Sequence, residues 1–275
     1  MHPTAMPRSL LAPLALVGLL VTGCASAPRP PLEPPPSGFG PAEGAESSFS
    51  VGADLRAAPG RFWDDTKLGF GEPRTYLFLG LAGLYAIAQE RGWEDQERAF
   101  FEHHTLFSSG TQDGLGALGN GATLYAGALA WYFTAMIQED AASYEASKTV
   151  LSALTVTSAA TLLLKGTLHD GRPNGGSHDF PSGHASLSMA AASSLGELYG
   201  PAVGVPAYTL AGLVGLQRLD TEKHDTGAVV FGWTLGFLVG YTLGAHEAPR
   251  ILGLQVGLYQ DPDSGDLGLT LYGGL

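Results

Sequence analysis

The sequence predicts an all-α helical bundle with a C-terminal β-hairpin as an appendage. Three observations carry that expectation. Hydrophobic residues make up 45% of the 275 residues and charged residues only 15%, the balance of a core-forming chain rather than a disordered one. Apolar segments between residues 73 and 245 are dominated by alanine and leucine, with few β-branched runs, which favours helix. After residue 249 the period changes to two. Leu252, Leu254, Val256 and Leu258 alternate with smaller or polar residues, "DPDSG" supplies turn chemistry, and Leu267, Leu269 and Leu271 alternate again, the pattern of paired strands.

The elements follow in order. Met1 to Ser9 holds one cation, Arg8, and no acid, and "LLAPLALVGLLV" and "VTGC" come next. This is the layout of an export signal, expected over 1–23. Thr22 and Gly23 before Cys24 resemble a lipobox, which implies cleavage and acylation at Cys24. Cys24 is the only cysteine, so it has no intrachain disulfide partner. Residues 24–72 are expected to be a tether. Ala27 to Gly44, "APRPPLEPPPSGFGPAEG", is proline-rich and therefore extended. Residues 45–72 read as irregular, with Phe62 and Trp63 docking on the body.

The helical domain is expected over 73–248. "RTYLFLGLAGLYAIAQERG" stops at a glycine after Arg91, as helices do. "EDQERAFFEHHTLF" opens with acids, which suit a helix N-terminus. Apolar helices follow at 118–137, 142–165, 184–199, 202–217 and 226–245. Trp131, Tyr132 and Phe133 read as core, and His103-His104 as a surface or half-buried pair. The hairpin, 249–275, is expected to pack on the helices, since an isolated hairpin is marginal.

Two function classes lose ground on composition. The chain carries 14 Lys+Arg against 26 Asp+Glu, a net charge of -12, which disfavours nucleic acid as a partner. Segments 118–137 and 226–245 approach the length of about 20 residues that a membrane span needs. However, the loops that would be cytoplasmic, "QEDAASYE" and "YGP", lack the cations expected there. The reading is a tethered bundle held at a membrane by its anchor.

The chemistry concentrates in "KGTLHDGRPNGGSHDFPSGH", residues 165–184, and in "RLDTEKH", residues 218–224. Arg172 and Arg218 offer planar forks and Lys165 a compact ammonium, the donors a phosphate needs. Ser182 can cap a helix while offering a hydroxyl. The amides at Gly183 lie at a helix N-terminus, a natural anion site. His184 and His224 can divide phosphoryl transfer between nucleophile and proton donor. The pairs His169-Asp170, His178-Asp179 and His224-Asp225 raise a metal reading. Adjacent residues seldom share one ion, and no metal-binding spacing appears, so no metal or other cofactor is expected.

This ordered set, K-x6-RP, PSGH and R-x5-H, resembles the type-2 phosphatidic acid phosphatase superfamily, which includes bacterial acid phosphatases and vanadium haloperoxidases. The resemblance spans about residues 148–245. It implies a helical bundle of the acid phosphatase/haloperoxidase type. It also implies His184 as general acid, His224 as nucleophile, and Lys165, Arg172, Ser182, Gly183 and Arg218 as the phosphate cradle. The substrate implied is a phosphate ester, with a lipid phosphate suggested by the apolar helices and the anchor. The expected setting is a lipoprotein facing the periplasm, on the outer membrane because Ala25 follows Cys24 where inner-membrane proteins often carry aspartate. Two positions depart from the pattern. Ala228 stands where the family usually has the aspartate that orients the nucleophilic histidine, and Gln217 stands where serine usually precedes the arginine. Ala228 opens an alternative, a catalytically weak or silent phosphate-binding lipoprotein.

Overall fold

The computed structural model describes residues 49–92, 99–101, 103–168, 180–247, 250–251, 254–260 and 267–272. The expected signal at 1–23, Cys24 and the proline-rich stretch 27–44 lie outside the described residues.

The first described element corrects the sequence reading. Residues 45–72 were expected to be irregular, yet Val51–Phe70 is one helix, α1, with Pro59 inside it. The Ser50 hydroxyl caps it by accepting the Ala53 N–H at 3.3 Å. An internal proline costs about 3 kcal/mol, and contacts at both ends of α1 offset it. Near its start, Asp54 accepts hydrogen bonds from the Tyr132 and Tyr144 hydroxyls. Near its end, Gly69 packs on Val239 and Leu243. The inward face runs through Asp54, Arg61, Asp65 and Gly69 at helical spacing, so Phe62 and Trp63 do not dock. They are 37% and 62% exposed.

Helix α2, Pro73–Gly92, follows. The helix expected from Glu94 falls partly outside the described residues. Residues 99–101 and 103 are helical, and the chain leaves that conformation at His104. His103 and His104 are both exposed, as expected of a surface pair. Helix α3, Ser109–Leu118, was not foreseen. Gly110, Gly114 and Gly116 lower its propensity, and it forms because Ser108 caps it and it packs on the end of a later helix.

The remaining helices are α4 Gly121–Ile137, α5 Ala141–Thr167, α6 Gly183–Tyr199, α7 Pro201–Asp220 and α8 Thr226–Glu247. Asn120, Asp140 and Ser182 cap α4, α5 and α6. All five lie within three residues of the expected boundaries. The three aromatic residues of α4 divide. Tyr132 is buried and Trp131 half-buried against Tyr199, whereas Phe133 turns outward at 41% exposure.

Glycine decides how the core is built. Gly232, Gly236, Gly240 and Gly244 recur every fourth residue along α8, on the side facing α6. A Cβ at these positions would come within 2.7 Å of the Ser182 carbonyl oxygen, 2.0 Å of that of Ser186, 2.2 Å of that of Ala190 and 2.9 Å of Glu197 Cβ. The two backbones therefore touch, and α6 answers with small residues, Ser186, Ala190, Ser193 and Ser194. Such packing fixes register, because each carbonyl fits one missing side chain. On the other flank Trp233 lies over Gly215 of α7, with its indole N–H donating to the Ala211 carbonyl at 3.1 Å.

Large apolar side chains sit on the outside. Tyr76, Leu77, Leu81, Leu84 and Ile87 of α2 are exposed, as are Leu129 and Ile137 of α4, Leu162 and Leu163 of α5, and Val205 and Leu210 of α7. Among the described residues, two helices are long and apolar enough to cross a membrane, α5 and α8. The segment from 118, expected to approach that length, is a 17-residue helix, and α8 is largely enclosed by the others.

At the C-terminus β1 Arg250–Ile251, β2 Leu254–Gln260 and β3 Leu267–Tyr272 pair antiparallel in the order β1-β2-β3. Val256 opposes Leu271 and Leu258 opposes Leu269. Strand β2 lies against α6 and α7.

Candidate active site

Four helix ends carry the residues singled out in the sequence. Lys165 is in the last turn of α5 and is half-buried. Ser182 and His184 open α6, with Ser182 fully buried. Arg218 ends α7 at 6% exposure, and His224, at 4%, precedes α8. Arg172 lies outside the described residues, as do His169-Asp170 and His178-Asp179.

Contacts one turn away bring these ends together. Between α5 and α6, the Thr161 and Ser186 hydroxyls are 3.0 Å apart, and a Cβ on Gly183 would stand 3.8 Å from Thr161 Cγ2. Lys165 is the next turn of α5. Between α6 and α8, the Ser182 N–H donates to the Ala228 carbonyl at 3.0 Å. Between α6 and α7, Gly119 is the meeting point. A Cβ there would lie 3.3 Å from His184 Cδ2 and 2.3 Å from Val214 Cγ1. Arg218 follows Val214 by one turn. Lys165, Ser182, Gly183, His184, Arg218 and His224 thus gather at one end of the bundle.

The turn between α7 and α8 brings His224 back towards Arg218. Glu222 takes a left-handed conformation, φ 51°, and the Lys223 N–H donates to the Arg218 carbonyl at 3.0 Å. Asp225 then caps α8, its Oδ1 accepting the Ala228 N–H at 2.6 Å. Electrostatics at this end favour an anion. The N-termini of α6 and α8 present partial positive charge, and the C-termini of α5 and α7 carry Lys165 and Arg218.

Two departures from the family pattern acquire physical content. Gln217 is 2% exposed, and its Oε1 accepts from Arg218 Nη1 at 3.4 Å. The amide thus tethers the guanidinium. Ala228 is fully buried; its backbone holds the Ser182 turn, while its methyl offers nothing to an imidazole.

One residue escaped the sequence reading. Asp220, 4% exposed, accepts from the backbone N–H groups of Leu106 at 2.5 Å and Phe107 at 3.2 Å, and from Gln112 Nε2 at 2.8 Å. It clamps segment 106–112 onto the end of α7, two residues past Arg218. The available signal was an acid in a final helical turn, where the helix dipole disfavours it unless it serves another segment.

No protein-family description matches this chain, and no curated protein matches it. Among solved structures, a match is the crystal structure described as the first transmembrane PAP2-type phosphatidylglycerolphosphate phosphatase, from Bacillus subtilis. It is 18% identical, with a TM-score of 0.53, over 62% of this chain and 92% of that one. The superfamily resemblance of the three ordered motifs and the overlay of the helical body agree: the chain has the PAP2-type phosphatase fold.

Proposed function

We propose that the chain is a metal-independent phosphatase acting on phosphomonoesters, with lipid phosphates as the favoured class. The observation that carries this reading is the gathering of two imidazoles, Lys165, Arg218 and the N-termini of α6 and α8 at one end of the bundle. Arg172, Lys165, Arg218, Ser182 and the Gly183 amide hold the phosphoryl oxygens. A neutral nitrogen of His224 attacks phosphorus as the ester P–O bond breaks. Protonated His184 gives its proton to the departing oxygen, which leaves as an alcohol. In the second step His184, now neutral, takes a proton from water. The water oxygen attacks phosphorus, the P–N bond breaks, and hydrogen phosphate leaves with His224 restored. The fixed cations spread the equatorial charge of the transition state.

Membrane association supports the lipid preference. The outer faces of α2, α4, α5 and α7 expose large apolar side chains, and a lipid anchor at Cys24 would hold the body at a bilayer on the periplasmic side. The test is orthophosphate release from soluble and lipid phosphate esters in the presence of EDTA. Release that persists with chelator and disappears in His224→Ala supports the mechanism; full activity in that variant ends it.

Ala228 favours a second reading, a phosphate-binding protein without turnover. Ala228→Asp separates the two. An enzyme gains or holds activity, whereas a silent binder stays inactive while still binding orthophosphate.

A further inference from the structure

Helix α3 runs antiparallel to the last turns of α7 and is fastened to them at both ends. At its start, the Leu106 and Phe107 N–H groups donate to the Asp220 carboxylate at 2.5 Å and 3.2 Å, and Gln112 Nε2 donates to it at 2.8 Å. Farther along, a Cβ on Gly116 would lie 3.4 Å from Gln217 Nε2, and one on Gly119 would lie 2.3 Å from Val214 Cγ1. Residues 112, 116 and 119 therefore meet 220, 217 and 214, about one turn at a time in opposite directions. Asp220 is 4% exposed. Burying a carboxylate is unfavourable, and these N–H donors offset the penalty only while their segment stays in place.

The far end of α3 touches the candidate acid. A Cβ on Gly119 would stand 3.3 Å from His184 Cδ2 and 3.4 Å from His184 Cβ. Those separations are tighter than ordinary side-chain contact, so a side chain at 119 and the imidazole would displace one another. Gly119 has φ -79°, which suits any residue, so glycine serves here to leave space. Both contacts are to carbon. The Gly119 backbone thus abuts the Cδ2 side of the ring, opposite Nδ1, and leaves the nitrogens to polar partners. A general acid must place its proton on the leaving oxygen, and a displacement of about 1 Å can lower a rate by about 10²-fold.

We infer that Gly119 and Asp220 are positioning residues for His184: Asp220 anchors α3, and Gly119 gives the imidazole a stop that aims its N–H at the departing ester oxygen. The inference rests on the phosphatase reading above. It assigns to α3, which lies outside the three motifs, control over proton donation to the leaving group.

The experiment uses the leaving group to separate proton donation from general integrity. An alkyl phosphate needs a proton on its departing oxygen, whereas para-nitrophenyl phosphate releases a stabilised phenolate that needs none. For each ester kcat/KM is measured, because it covers departure of the leaving group and not the later hydrolysis of the phosphohistidine. The chains compared are wild type, Val214→Ala, Gly119→Ala combined with Val214→Ala, and Asp220→Asn. Shortening Val214 removes the closest obstacle at 119, so in the double variant the new methyl presses first on His184. There kcat/KM for the alkyl ester is expected to fall at least about tenfold while that for the nitrophenyl ester stays within about twofold. Asp220→Asn should move the ratio of the two in the same direction, and Val214→Ala alone should leave it at the wild-type value. Should the double variant fail to fold, Asp220→Asn carries the measurement. An unchanged ratio in the double variant or in Asp220→Asn, whether from equal losses or from wild-type values, overturns the inference and leaves the phosphatase reading intact. So does a change in Val214→Ala as large as that in the double variant. A wild-type chain that hydrolyses neither ester overturns the phosphatase reading, and the inference falls with it.

Discussion

Helix α5 carries a lysine near each end, and the two ends use it differently. Lys148 lies 2.6 Å from Glu145 and 3.6 Å from Asp54, with its ammonium 4.5 Å from the centre of the Tyr144 ring. Asp54 is also held by two tyrosine hydroxyls. Lys165, seventeen residues on, stands at the end where Ser182, His184, Arg218 and His224 gather. There the carboxylates of Asp220 and Asp225 are engaged by backbone N–H groups, holding segments in place. The first arrangement is closed electrostatically and fastens α1 to α4 and α5. The second assembles cations and helix N-termini, and in our proposal its complement is a phosphate from outside.

The comparison can be broken most directly at His224. His224→Ala should lower turnover by about 10³-fold or more with the melting temperature little changed, measured by orthophosphate release and calorimetry. Next comes the seam that joins the two ends. Gly236→Val places side-chain atoms where a Cβ alone would be 2.0 Å from the Ser186 carbonyl. It should destabilise by at least about 3 kcal/mol and abolish activity through misplacement of Ser182 and His184.

At the closed end, Asp54→Asn should lose about 1–3 kcal/mol in denaturant unfolding while kcat is unchanged. Burial opposes ionisation of Asp54, but the hydroxyls of Tyr132 and Tyr144 and the charge of Lys148 outweigh it, holding the carboxyl below its ordinary pKa. A depressed folded pKa gives stability that is present above the unfolded value and lost as pH falls through the folded one. The wild type should therefore lose its advantage over Asp54→Asn only in acid. The smallest effect is expected at Gly127 of α4, where a Cβ meets nothing within 4 Å. Gly127→Ala should stabilise by about 0.5–1 kcal/mol and leave catalysis alone.

The helical body was legible because Ala- and Leu-rich segments of helical length announce themselves locally, and α4 to α8 lie close to their expected limits. Helix α1 was not, since its stability comes from Asp54 reaching Tyr132 and Tyr144, far along the chain, rather than from residues around Pro59. Helix α3 was hidden by its own glycines. One of its neighbours, Gly119, has a reason visible only in three dimensions, the approach of His184 and Val214. At the site, motif order could name the imidazoles and cations, because spacing along helices survives in sequence. It could not name Asp220, whose significance depends on which segments it meets. The outward turn of Phe133, Leu162 and Leu163 was equally beyond reach, because an apolar helix does not disclose which face it buries.

The central claim is that His224 forms a covalent bond to phosphorus. The direct measurement is rapid acid-free quenching of the wild-type chain during turnover of a phosphate ester, followed by peptide mass spectrometry. The account predicts a phosphoryl group on the peptide containing His224, absent from His224→Ala. Steady turnover with no phosphoryl group there, or with one on a different residue, would contradict it.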